Sequence, residues 1–161
     1  MMKIAFSPPD ITEKEINEVA DTLRSGWITT GPKTKRFEEE IAGFCHTRKA
    51  VCLNSSTAAL ELSLRILGIG PGDEVITTAD TYTATSSVIC HVGATPVMVD
   101  TLPDSYDMDP EQVRNAVTER TKAIICVDLA GIIYPYYNQM FDIAAEKKIL
   151  FHPAGKLQKA L

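Results

Sequence analysis

Four polar residues in a row, Asn54, Ser55, Ser56 and Thr57, separate a short apolar run at 50–53 from an amphipathic pattern carried by Ala59, Leu60, Leu62, Leu64 and Leu67. That order reads as strand, turn and helix start, with Ser56 or Thr57 as the N-cap. The first turn of a helix leaves backbone N–H groups without intrahelical partners at the positive end of the macrodipole, so it can take an anion, most often phosphate. Two readings suit these residues: a phosphate cup at the carboxyl end of a buried strand, or an ordinary capped helix. A second stretch, TTADTYTATSSV at 77–88, sets Tyr82 among threonines where a strand passes into a helix. Its ring either stacks on a flat heterocycle near the cup or packs beneath the loop. Asp128, in VDLAG at 127–131, either holds a positive group or caps a turn. His46 and His91 sit near helix ends as surface or capping residues, and their isolation argues against a metal site.

Alternating elements must position these groups. After an extended stretch at 4–9, Asp10 or Thr12 caps a helix whose stripe is Ile16, Val19, Ala20 and Leu23, and Ser25-Gly26 stops it. The loop SGWITTGPK at 25–33 holds the only tryptophan, Trp27, with Thr29 and Thr30, and leads to a helix at 34–45 carrying Phe37, Ile41 and Phe44. Gly68, Gly70 and Gly72 end a helix and open a strand, the reverse of the order a dinucleotide-binding loop requires, so they form a tight connection. Strands follow at 74–78, 95–100, 122–128 and 149–152, and helices at 83–91, 110–118 and 137–148, with Asp109 as cap and Pro110 at a first helical position. Short buried strands alternating with helices predict an α/β fold of three layers, α/β/α, around a mostly parallel sheet. Ligands bind such sheets beyond the carboxyl ends of the strands, so loops 54–57, 77–83 and 128–134 should converge.

Composition bounds the partners. The 161 residues are 45% hydrophobic and 23% charged, and the net charge of −5 provides no basic footprint for nucleic acid. Cys45, Cys52, Cys90 and Cys126 form no C-x-x-C pair and read as reduced thiols of a cytoplasmic protein. The amino terminus lacks a sustained apolar signal region, and no apolar run approaches the ~20 residues of a membrane span.

The loop 25–33, NSSTAALELSLRILGIGPGDEVITT at 54–78, TYTATSSVI at 81–89, CHVGATPVMVD at 90–100 and AVTERTKAIICVDLAG at 116–131 together resemble the DegT/DnrJ/EryC1/StrS family of pyridoxal-phosphate-dependent sugar aminotransferases. The resemblance covers residues 4–148, with its motifs in order. It implies a fold-type I enzyme whose large domain binds pyridoxal 5'-phosphate at a homodimer interface and moves an amino group, usually from glutamate, to a keto group on a nucleotide-linked sugar. Residues 1–161 would then be the N-terminal part of an incomplete large domain, with the small domain absent. Carried over by motif, Ser56, Thr57 and the backbone of Ala58 would hold the cofactor phosphate, Tyr82 would stack on its ring, and Trp27, Thr29 and Thr30 would border the sugar-nucleotide site.

Transamination also needs a carboxylate at the pyridine nitrogen and a Schiff-base lysine. The family places the carboxylate in an E-D-A-A-H motif after the last helix. Here that segment reads ILFHPAG, with His152 standing where the Asp belongs. The family's lysine motif often reads F-H-P-x-K, and residues 151–156 match it with one residue added, which makes Lys156 the candidate lysine. The expected function is a truncated aminotransferase of nucleotide-sugar or polysaccharide biosynthesis that keeps the phosphate cup and ring platform without transaminating alone. The alternatives are a noncatalytic module that docks on a full-length subunit, or a gene fragment. Bare sheet edges and apolar helix faces would favour self-association.

Overall fold

A computed structural model of the protein describes residues 8–154. The described residues fall in two compact units, one within Met1–Cys52 and one within Leu53–Gln158.

The first unit holds α1 (Glu13–Arg24) and α2 (Pro32–Phe44). Thr12 caps α1 in a reciprocal box: its hydroxyl accepts the Lys14 N–H at 3.2 Å, and the Glu15 carboxylate accepts the Thr12 N–H at 2.6 Å. α2 begins earlier than the sequence pattern predicts, at Pro32, because a first-turn proline forfeits no helical hydrogen bond. Lys33 Nζ lies 2.9 Å from both Glu18 and Asp21 of α1, and Arg36 reaches Glu18 and Glu40 at 3.3 Å. Neither helix buries a residue, and the predicted stripe of Ile16, Val19 and Leu23 lies exposed, as do Phe37 and Phe44.

The second unit runs through α3 (Ser56–Ile66), β1 (Glu74–Thr78), α4 (Ala84–His91), β2 (Thr95–Val99), α5 (Pro110–Ala116), β3 (Thr121–Val127), α6 (Tyr137–Lys147) and β4 (Leu150–Ala154). Every pairing is parallel and the strand order is β2-β1-β3-β4. Successive residues of a strand face opposite sides, and the core divides accordingly. Val75, Ala123 and Ile125 pack with Leu64, Val88 and Ile89 from α3 and α4. Ile76, Ile124 and Cys126 pack with Val113, Met140 and Ile143 from α5 and α6. This is the three-layer arrangement the alternating pattern predicts. At the amino end of the sheet, Glu74 is buried and accepts from the Thr118 hydroxyl and the Arg120 guanidinium, which ties the start of β1 to the approach to β3.

Residues 50–53 do not form the expected strand. They find no ladder partner among the described residues, and Val51 and Leu53 are exposed. An apolar run becomes a strand only when a neighbour supplies the other half of its hydrogen bonds.

Candidate functional site

The chain leaves β1 for β2 on one side, then crosses back past β1 to β3 and on to β4. The direction of winding therefore reverses between β1 and β3, and the crevice beyond the carboxyl ends of those strands is where an open α/β sheet takes its ligand. A cleft of about 630 Å³ lies there, entirely within the second unit. Ser56 and Thr57 line it from the start of α3, Thr81 and Tyr82 from the loop after β1, and Val127 and Leu129 from the end of β3 and the turn beyond. The three loops singled out in the sequence converge as predicted.

The α3 terminus has the features of an anion site. Its N-cap is Ser55, one residue earlier than the sequence suggests, because the Ser55 hydroxyl accepts the Ala58 N–H at 3.1 Å. Ser56 and Thr57 are thereby the first two helical residues. Their amides and hydroxyls make no hydrogen bond among the described residues and remain available to a ligand. The Ala58 amide is already engaged by the cap.

Tyr82 is 81% exposed, which removes the alternative of a tyrosine packed beneath its loop. It stands at the cleft with Thr81 and Thr85, whose hydroxyl oxygens are 3.1 Å apart. Asp128 resolves the other way. Its Oδ1 accepts the Tyr134 N–H at 2.9 Å and the Tyr137 hydroxyl at 2.8 Å, so it closes the turn that carries Leu129 into the cleft wall. That turn holds Ala130 in the left-handed region, φ 54°, a conformation that costs a non-glycine residue about 1 kcal/mol or more and needs such a clamp. The Tyr134 hydroxyl donates to the Met108 carbonyl at 2.6 Å. Burial pushes both tyrosine hydroxyls well above the usual range, so they act as neutral donors. Burial likewise pushes the Cys126 thiol up to about 12.

Leu60, Ser63, Thr85 and Leu129 also line the cleft and were not named as site residues from the sequence. The signal for two of them is helical spacing: residues 60 and 63 lie four and seven positions after Ser56. In the first unit, Trp27 Nε1 donates to the Thr30 carbonyl at 3.0 Å, and Thr29 and Thr30 are exposed. A Cβ at position 31 would stand 2.1 Å from Trp27 Nε1, so the indole can lie against this loop only over Gly31. Lys156 lies outside the described residues, as does the side chain of His152. His91 Nδ1 sits 3.0 Å from Glu61 Oε2, as a surface pair. Among the described residues, no group of three or more His, Cys, Asp and Glu could hold a metal ion, and no helix is long and apolar enough to cross a membrane.

Comparison with known proteins places the chain in a family. A model of the DegT/DnrJ/EryC1/StrS aminotransferase family matches residues 9–152. The chain belongs to that family. Among curated relatives, the spore coat polysaccharide biosynthesis protein SpsC of Bacillus subtilis is 48% identical over 128 residues, 80% of this chain and 33% of that one. The UDP-4-amino-4-deoxy-L-arabinose–oxoglutarate aminotransferase of Shewanella sediminis is 50% identical over 141 residues, 88% of this chain and 36% of that one. A Streptococcus pneumoniae family protein assigned as a sugar aminotransferase, solved in its pyridoxamine phosphate form, superposes with a TM-score of 0.87 at 60% identity, covering 91% of this chain and 37% of that one. The chain spans about one third of the length of these relatives.

Proposed function

We propose that the chain carries the phosphate- and ring-binding part of a pyridoxal phosphate site in an aminotransferase that acts on a nucleotide-linked sugar with glutamate as amino donor. The observation that carries this reading is the cleft at the β1/β3 switch point, where the unpartnered amides of Ser56 and Thr57 and the exposed Tyr82 ring border one space. An N-terminal helix turn with two spare donors and two hydroxyls suits a phosphate dianion. The Ala58 amide would reach it only by sharing its hydrogen with Ser55. Tyr82 offers its face to a planar ring, and Leu60, Val127 and Leu129 exclude water from the apolar edge of the same space. Bound there, pyridoxal phosphate supplies the electron sink through which an amino group is exchanged for a keto group. Trp27, Thr29 and Thr30 are assigned to the border of the sugar-nucleotide site, on the strength of the motif resemblance, and the assembly to a homodimer.

The test is a fluorescence titration with pyridoxamine phosphate, which has no aldehyde and so cannot react with surface lysines. Saturable binding that inorganic phosphate competes away, and that weakens about tenfold or more in the Ser56→Ala/Thr57→Ala double variant, supports the reading; that factor corresponds to ~1.4 kcal/mol of lost hydrogen bonding. Binding indifferent to the double variant, or no saturable binding, overturns it. Exposure of Ile16, Val19, Leu23, Phe37 and Phe44 favours a second reading, an assembly module that docks on a complete subunit. Co-purification with a full-length aminotransferase, without cofactor binding by this chain, would select it.

A further inference from the structure

We infer that the Thr81–Thr85 hydroxyl pair is a positioning device that sets Tyr82 as a ring platform, an inference that rests on the cofactor reading above. An exposed aromatic ring receives little restraint from packing, so its orientation must come from the backbone that carries it. At 81% exposure Tyr82 is in that position. At the start of the helix that follows, the N-cap Thr83 makes no side-chain capping bond, and its carbonyl accepts the Ser87 amide at 2.9 Å and the Ser86 hydroxyl at 3.0 Å, bonds that fix the residue after Tyr82 and leave Tyr82 itself to Thr85.

What holds the turn is Thr85. Its N–H donates to the Tyr82 carbonyl at 3.0 Å, and its hydroxyl lies 3.1 Å from that of Thr81. The two contacts enclose Tyr82 from both sides, one on its own carbonyl and one on the preceding side chain. Thr85 is 4% exposed, so solvent does not compete effectively for its hydroxyl, and the link is stronger than a surface pair of threonines would make. Both threonines also line the cleft together with Tyr82, so the link and the ring border the same space. Valine at position 85 keeps the shape of threonine and deletes the link, whereas serine keeps the hydroxyl.

The experiment compares wild type, Thr85→Val and Thr85→Ser by backbone NMR relaxation and by pyridoxamine phosphate titration, with thermal unfolding to confirm folding. The expected result is a lower order parameter at Tyr82 in Thr85→Val than in wild type or Thr85→Ser. Cofactor affinity should fall about tenfold in Thr85→Val and stay within about twofold in Thr85→Ser. In a Tyr82→Ala background Thr85→Val should weaken binding no further, because the threonine acts through the ring. Should Thr85→Val not fold, Thr81→Val deletes the same link from a less buried position and carries the same expectations. An unchanged order parameter at Tyr82 overturns the inference, and so does an equal loss of affinity with and without the Tyr82 ring. Loss of order at Tyr82 in a chain that fails to bind pyridoxamine phosphate would support the positioning role and sink the cofactor reading.

Discussion

The two units of this chain are held together by different physics. The second is built on a parallel sheet with Ile76, Val75, Ile124 and Cys126 fully buried between helices on both faces. The first has no buried residue in either helix, and its helices are joined by an ion network on Lys33 and Arg36, while Ile16, Val19, Leu23, Phe37 and Phe44 stay exposed. Apolar burial is worth roughly 25 cal/mol per Å² and is insensitive to pH, whereas exposed ion pairs contribute little and are screened by salt. A rigid cleft therefore belongs to the second unit, and α1 and α2 are the part of the chain whose order depends most on conditions.

Hydrogen exchange should show the widest contrast. Amides of Ile124 and Ile125 in β3 are expected to exchange only on global unfolding, and those of α1 and α2 by local opening at far lower free energy. Equal protection in both would show that α1 and α2 are covered in solution. Ile124→Ala should cost about 2–5 kcal/mol in denaturant unfolding of the second unit, through lost burial and a residual cavity. Val19→Ala in α1 should stay within about 0.5 kcal/mol, as an exposed position does. A large loss at Val19 would place a partner, such as a second copy, on that helix, and size-exclusion chromatography would then show the dimer disappear in the variant.

The acid response separates the units more finely. The Thr118 hydroxyl and the Arg120 guanidinium hold the Glu74 carboxyl below the usual carboxylate range, and Lys33 does the same for Glu18 and Asp21. A carboxyl with a depressed folded pKa binds its proton less readily in the folded than in the unfolded state. Its contribution is therefore complete above an unfolded pKa of about 4.3 and is lost as pH falls through the folded value. Glu74→Gln should lower stability at neutral pH and flatten the acid limb of the second unit's stability profile. A profile unchanged by Glu74→Gln would refute the role given to this pair. The smallest effect is expected for Lys33→Ala, a shift in the first unit that disappears in about 1 M salt, where screening reaches ~3 Å.

The sheet was legible in the sequence because its strands are short segments rich in β-branched and apolar residues. Residues 74–78, EVITT, are a case in point, opening after Gly72-Asp73. Asp109 and Pro110 likewise marked the start of α5 unambiguously. The run at 50–53 is more apolar still, yet strand formation depends on a partner that no local pattern encodes. The start of α3 was legible as a polar cluster before an amphipathic pattern, and only the cap was off by one residue, since Ser55, Ser56 and Thr57 are interchangeable as cap chemistry. Asp128 was undecidable between a ligand and a turn, because its partners Tyr134 and Tyr137 reach it only once the turn after β3 has formed. Thr85 was hidden inside a helix, where a threonine ordinarily means nothing.

The central claim is that the cleft at the carboxyl ends of β1 and β3 binds the cofactor through its phosphate and its ring. A ¹H–¹⁵N NMR titration of the chain with pyridoxamine phosphate tests this most directly. The account predicts saturable shifts that are largest at the amides of Ser56 and Thr57 and across residues 81–85, with inorganic phosphate reproducing the first set and not the second. Shifts confined to other parts of the chain, or none at Ser56, Thr57 and Tyr82 at saturating ligand, would contradict it.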